Sequence, residues 1–121
     1  MTYMTSKNPH TELTNQIIKK YENSPYLYLW KNNTGSAKIG QRFVSFGKKG
    51  SPDIIGFAAD GRFVAIECKT GNGKLDATQL EFALQARRFN CIYIVARDLN
   101  CIENISENVR IKHQAQMSVR D

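Results

Sequence analysis

Apolar residues recur along this chain with two periods, and the switches between them outline the elements. From His10 to Asn23, Leu13, Ile17, Ile18 and Tyr21 fall at helical spacing and predict one amphipathic helix. Asn8-Pro9 supplies its start, with Asn as cap and Pro at the first helical position, and Asn23-Ser24-Pro25 ends it. "YLYLWK" (26–31) is aromatic and strand-like. The polar, glycine-punctuated "NNTGSAKIGQ" reads as a loop, "RFVSFG" as a short extended piece, and "KKGSP" as a basic turn. "DIIGFAADGRFVAIECK" places apolar runs on both sides of Asp60-Gly61, the pattern of a β-hairpin. After "TGNGKL", the stretch "DATQLEFALQARRF" predicts a helix capped by Asp76. Leu75 and Leu80 have the spacing of a hydrophobic staple, and Leu80, Ala83, Leu84 and Ala86 form its apolar side. Cys91–Ala96 reads as a buried strand, and "SENVRIKHQAQM" as a closing helix capped by Ser106. The order α, β, β, β, β, α, β, α predicts one α/β domain over residues 9–121, a mixed sheet flanked by helices, after a polar leader at 1–8.

Two charges break this pattern. Glu67 and Lys69 sit inside the apolar run "VAIECK", where burying an unpaired ion costs several kcal/mol or forces a change of protonation. Residues two apart on a strand share a face, so Glu67 and Lys69 project together while Cys68 points to the core. The hairpin turn decides which residue meets them. A two-residue loop at Asp60-Gly61 would set Asp53 opposite Cys68 and turn it away from Glu67. A three-residue loop, Ala59-Asp60-Gly61, moves the pairing by one and sets Asp53 opposite Glu67. Gly at the third position accepts positive φ without strain, so the three-residue loop is expected.

Two facing carboxylates repel unless a proton or cation intervenes. A hard divalent cation such as Mg²⁺ or Mn²⁺ takes oxygen ligands of this kind and keeps waters of its own, and a neighbouring lysine can orient or deprotonate one. Asp53, Glu67 and Lys69 are thus the parts for metal-dependent phosphodiester hydrolysis. The plain alternative is a surface strand with a solvated Asp and a local Glu–Lys pair, which the apolar neighbours Val64, Ala65 and Ile66 disfavour.

Composition narrows the partners. The chain has 121 residues, 41% of them apolar, which suits one globular domain with a real core and neither disorder nor a disulfide scaffold. Three widely spaced cysteines without a CxxC pair point away from zinc and towards a reducing compartment. A signal pattern and a membrane span are both lacking, so a cytoplasmic location is expected. Seventeen Lys and Arg against eleven Asp and Glu leave a net charge of +6, which suits a polyanion, nucleic acid first.

Pro52-Asp53, thirteen intervening residues and Glu67-Cys68-Lys69 resemble the PD-(D/E)xK nuclease signature. Within that superfamily the chain is similar to the virus-type replication–repair nuclease (VRR-NUC) domain. The similarity runs from Glu12 in the opening helix through "WKNNTG", "FGKKGSPDIIGF", "DGRFVAIECKTGNGKL" and Gln79 to about Arg97. What it implies is a restriction-endonuclease-like core in which Asp53 and Glu67 bind Mg²⁺ or Mn²⁺ and the backbone carbonyl of Cys68 adds a ligand. Lys69 would hold the attacking water and offset charge in the transition state. It also implies Glu12 as an additional metal- or water-binding carboxylate and directs Gln79 to the site. From its sequence position, Gln79 also completes a capping box with Asp76. Small stand-alone members act as homodimers on branched DNA such as four-way (Holliday) junctions, and a phage origin would place the protein in a bacterial host cell.

Lys38, Arg42, Lys48, Lys49 and Lys74 could line a phosphate-binding surface, against a plainer reading as solvated loop lysines. Arg87 and Arg88 suit a solvated helix face, and Tyr26, Tyr28 and Trp30 suit core or interface. The expected function is a metal-dependent endonuclease on branched DNA. The alternative is a non-cleaving DNA-binding module that keeps the nuclease fold.

Overall fold

The computed structural model describes residues 8–33 and 35–120, so all of the polar leader except Asn8 lies outside the described residues. Its elements are α1 (Pro9–Lys20), β1 (Leu27–Lys31), β2 (Gly35–Ile39), β3 (Arg42–Phe46), β4 (Ile54–Ala58), β5 (Phe63–Cys68), α2 (Ala77–Arg88), β6 (Ile92–Ala96) and α3 (Asn100–Arg120). Four strands form one mixed sheet in the order β1-β4-β5-β6, antiparallel except for the β5–β6 pair. Helices α1 and α3 cover one face and α2 the other. The first face buries Leu13, Ile17, Ile102 and Val109 of the helices against Ile54, Val64, Ile66 and Cys68. The second buries Ala83 and Ala86 of α2 against Ala65 and Tyr93. Strand alternation explains the split, since Val64, Ile66 and Cys68 lie on one side of β5 and Ala65 and Glu67 on the other. No described helix is long and apolar enough to cross a membrane.

The β4–β5 hairpin has the predicted three-residue loop. Ile54 pairs with Ile66 and Phe57 with Phe63, and the Ala58–Arg62 hydrogen bond beyond that last rung leaves Ala59, Asp60 and Gly61 as the loop. Ala58 N donates to Arg62 O at 2.8 Å, and Gly61 turns the chain with φ +96°. Carrying the register on from Ile54–Ile66 sets Asp53 opposite Glu67.

Three expectations are corrected. The stretch read as the loop "NNTGSAKIGQ" contains strand β2, which pairs with β3 in a separate two-stranded ribbon. Gly, Ser, Ala and Lys carry little strand propensity, so only the partner strand reveals it. The closing helix begins at Asn100, not at a Ser106 cap, and Asp98 Oδ1 accepts from Cys101 N at 3.2 Å at its start. Ile102, Ile105 and Val109 were already at helical spacing there, and all three pack in or against the core. The apolar side assigned to α2 is also turned, because Leu80 and Leu84 are 51% and 56% exposed. Gln79, Ala83 and Ala86 form its sheet-facing stripe at the i, i+4, i+7 spacing, so a polar residue heads that face.

Strands β1 and β4 approach too closely at Gly56 to admit any side chain. A Cβ there would meet the Tyr28 carbonyl oxygen at 1.9 Å. Gly56→Ala therefore has to push backbone apart, at a cost of about 3 kcal/mol or more. A melting temperature lower by roughly 10 °C is expected in thermal denaturation. An unchanged melting temperature would contradict this packing.

Candidate metal centre

The first turn of α1 delivers a histidine to the carboxylates. Asn8 Oδ1 accepts from His10 N at 3.0 Å, and Thr14 Oγ1 donates to His10 O at 3.0 Å, fixing the turn that carries the imidazole. His10 Nε2 lies 3.1 Å from Asp53 Oδ2. The same Asp53 oxygen accepts from Cys68 N at 2.8 Å, which ties it to the end of β5. Its backbone is held on the other side, where Asn32 N donates to Asp53 O at 2.8 Å. His10, Asp53, Thr14, Lys31 and Asn32 line a cleft of about 160 Å³.

Glu67 stands on the α2 side of β5 and is only 3% exposed. Its Oε1 accepts from Gln79 Nε2 at 3.1 Å and lies 3.8 Å from Lys69 Nζ. Its Oε2 is buried and accepts no hydrogen bond among the described residues. Ligand atoms of His10, Asp53 and Glu67 all lie within 4.8 Å of one another. Burial, reinforced by the Asp53 carboxylate, pushes the Glu67 carboxyl up to about 8, and the Lys69 ammonium only partly opposes this. A buried carboxylate oxygen without a donor, next to a second carboxylate and an imidazole, fits a divalent cation in both charge and donor type. Nitrogen and oxygen donors together suit Mn²⁺ and related first-row ions better than an all-oxygen set does.

Gln79 closes the capping box and contacts Glu67 at the same time. Asp76 Oδ1 accepts from Gln79 N at 2.9 Å and Gln79 Oε1 accepts from Asp76 N at 3.0 Å, which closes the capping box. The opposite end of the same amide reaches Glu67. Cys68 is fully buried, and burial raises its thiol to about 11, consistent with a core residue and not a nucleophile.

Other sequence-predicted residues fall elsewhere. Glu12 is exposed, accepts from Gln16 Nε2 at 3.5 Å and lines a neighbouring cleft with Thr70, Arg97 and Asn100. It is not part of the cluster formed by His10, Asp53 and Glu67. Residues two apart on a helix do not share a face, so the rotation that aims His10 at Asp53 turns Glu12 away. His10 lies 43 residues from Asp53 along the chain, so no local pattern in the sequence joins the two. Only its place two residues after the Asn8 cap hinted that the helix start would hold it firmly. Lys48 and Lys49 line an apolar groove of about 490 Å³ beside α2, with Phe63, Phe82 and Phe89. The lysine that does line the Asp53 cleft is Lys31, which drew no attention in the sequence. Lys38 and Arg42 are exposed on the β2–β3 ribbon, and Lys74 is exposed just before α2. The larger apolar groove holds no member of the carboxylate cluster, whereas the smaller cleft contains His10 and Asp53. No protein-family model matches the chain, and no curated protein matches it either.

Proposed function

We propose that this protein is a Mg²⁺- or Mn²⁺-dependent DNA endonuclease of the VRR-NUC type, with a restriction-endonuclease-like core. It hydrolyses phosphodiester bonds in branched DNA such as four-way junctions and works as a homodimer. The observation that carries this reading is the meeting of Asp53, Glu67 and Lys69 on one side of the hairpin, with a buried Glu67 oxygen lacking a donor.

His10 Nε2, Asp53 and Glu67 Oε2 would hold the cation, and the family resemblance adds the Cys68 carbonyl. A cation held there would supply Lewis acidity to the scissile phosphate. Gln79 Nε2 fixes Glu67 Oε1 and so leaves Oε2 for the metal. Lys69 Nζ donates to the attacking water and offsets negative charge that grows on the phosphate oxygens. Two sites related by a two-fold axis would cut two strands symmetrically. An apolar surface suited to such a contact is the exposed cluster of Tyr28, Trp30 and Phe57, whose ring centroids lie 5.4 to 6.4 Å apart.

The test is a panel of linear, flapped, nicked and four-way-junction DNAs incubated with Mg²⁺ or Mn²⁺. Metal-dependent products from branched DNA are expected, more readily with Mn²⁺, and His10→Ala should erase that preference. The non-cleaving alternative gives binding without products in the same panel, and that outcome would sink the endonuclease reading.

A further inference from the structure

The β2–β3 ribbon leaves and re-enters the sheet at the carboxylate end. Strands β1 and β4 pair as far as Lys31 and Ile54, so residues 32–53 are one excursion with both roots at Asp53. Asn32 Nδ2 clamps those roots by donating to Ser51 Oγ at 2.8 Å and Pro52 O at 2.9 Å. Beyond them, β2 and β3 pair only with each other, over five rungs from Gly35–Phe46 to Ile39–Arg42. Such a ribbon is about 15 Å long.

Its surface is unusual for a solvated hairpin. Ile39 and Phe43, next to the Gly40–Gln41 turn, are 65% and 76% exposed. Residues 31–52 include Lys31, Lys38, Arg42, Lys48 and Lys49 and no Asp or Glu. The register sets Lys38 against Phe43 on one face and Ile39 against Arg42 on the other. Each face thus pairs a cation with an apolar side chain. A protein partner covering one face of the ribbon would meet only half of this surface. A polynucleotide alternates phosphates with bases and matches both faces. A two-stranded ribbon is also marginal alone in water, so a covering partner would stabilise it.

Resting on the nuclease reading above, we propose that this arm is a wedge for DNA branch points. Ile39 and Phe43 pack on bases that the branch leaves unstacked, while Lys38 and Arg42 hold the flanking phosphates. In an intact duplex the bases are stacked on each other, so the apolar residues gain nothing there. The arm therefore selects branched over linear DNA, and its roots bring the branch point to Asp53.

The experiment uses the full chain and the double variant Ile39→Ser/Phe43→Ser, with binding measured in EDTA so that no DNA is cut. The substrates are a four-way junction carrying 2-aminopurine at the branch and a linear duplex of the same length. The variant is expected to lose roughly tenfold in affinity for the junction and little for the duplex. The 2-aminopurine signal that changes with the wild-type protein should stay flat with the variant. Lys38→Ala/Arg42→Ala should weaken binding to both DNAs and lessen its salt dependence. An equal effect of Ile39→Ser/Phe43→Ser on both DNAs, or none on either, overturns the wedge. So does a wild-type dimer that the variant converts to monomer in sedimentation with junction preference intact, because the face would then belong to a second copy. Failure of the wild-type protein to bind any DNA overturns the nuclease reading itself, and the wedge with it.

Discussion

Lys69→Ala is expected to lower the cleavage rate by a factor of about 10² to 10³ while DNA affinity stays close to wild type. Lys69 follows β5 directly, and its N donates to Ala96 O at 3.0 Å, so the backbone is anchored whatever the side chain. Its Nζ stands 3.8 Å from Glu67 Oε1, and the side chain is 19% exposed. An ammonium there can address both the Glu67 carboxylate and a water or phosphate oxygen arriving from solvent. One cation among seventeen Lys and Arg contributes little to phosphate attraction over a whole DNA footprint. Rate and affinity should therefore separate. Lys69→Met keeps the aliphatic stem and should be equally inactive, which distinguishes lost chemistry from lost packing. Metal-dependent cleavage surviving in either variant, purified free of host nucleases, would refute the assignment.

The second large effect concerns Glu67 and has opposite signs with and without metal. Its carboxyl is raised from 4.5 to about 8 in the folded protein, chiefly by burial and then by Asp53. A folded state that holds a proton more tightly than the unfolded chain is favoured at low pH. This contribution is complete below about 4.5 and is lost as pH rises through about 8. The metal-free protein should accordingly melt at progressively lower temperature from pH 5 to pH 9, a loss on the order of a few kcal/mol. Mn²⁺ competes with that same proton, so its stabilising effect should be larger at pH 8.5 than at pH 6. Glu67→Gln keeps the shape without the charge. It should flatten the metal-free pH profile, raise stability at pH 9, and abolish stabilisation by Mn²⁺. Thermal melts across pH, with and without Mn²⁺, read all three. A Glu67→Gln protein still stabilised by Mn²⁺ would remove Glu67 from the metal site.

What could be read in the sequence was what neighbouring residues or one turn decide. Gly61 was enough to choose the three-residue loop, and strand alternation then put Asp53, Glu67 and Lys69 together. Asp76 and Gln79 announced a capping box by spacing alone. What could not be read depends on how elements cross. His10 reaches Asp53 because α1 packs across the sheet at one particular rotation, and no local pattern states that angle. The same cause removed Glu12 from the cluster and turned Leu80 and Leu84 outward. Strand β2 was hidden because its own residues do not favour extension, and β3 alone supplies the reason for it.

The β4–β5 loop lies about five residues from Asp53, some 17 Å along the strand, and touches nothing in the site. Yet it sets a parity. Adding or removing one residue among Ala59, Asp60 and Gly61 would shift the pairing by one, so that Asp53 no longer stood opposite Glu67 and the two carboxylates parted, unless a bulge absorbed the change. A change of two residues would return Asp53 to its place. Variation in the length of this turn is therefore quantised in its consequences, with odd steps dismantling the carboxylate pair and even steps sparing it.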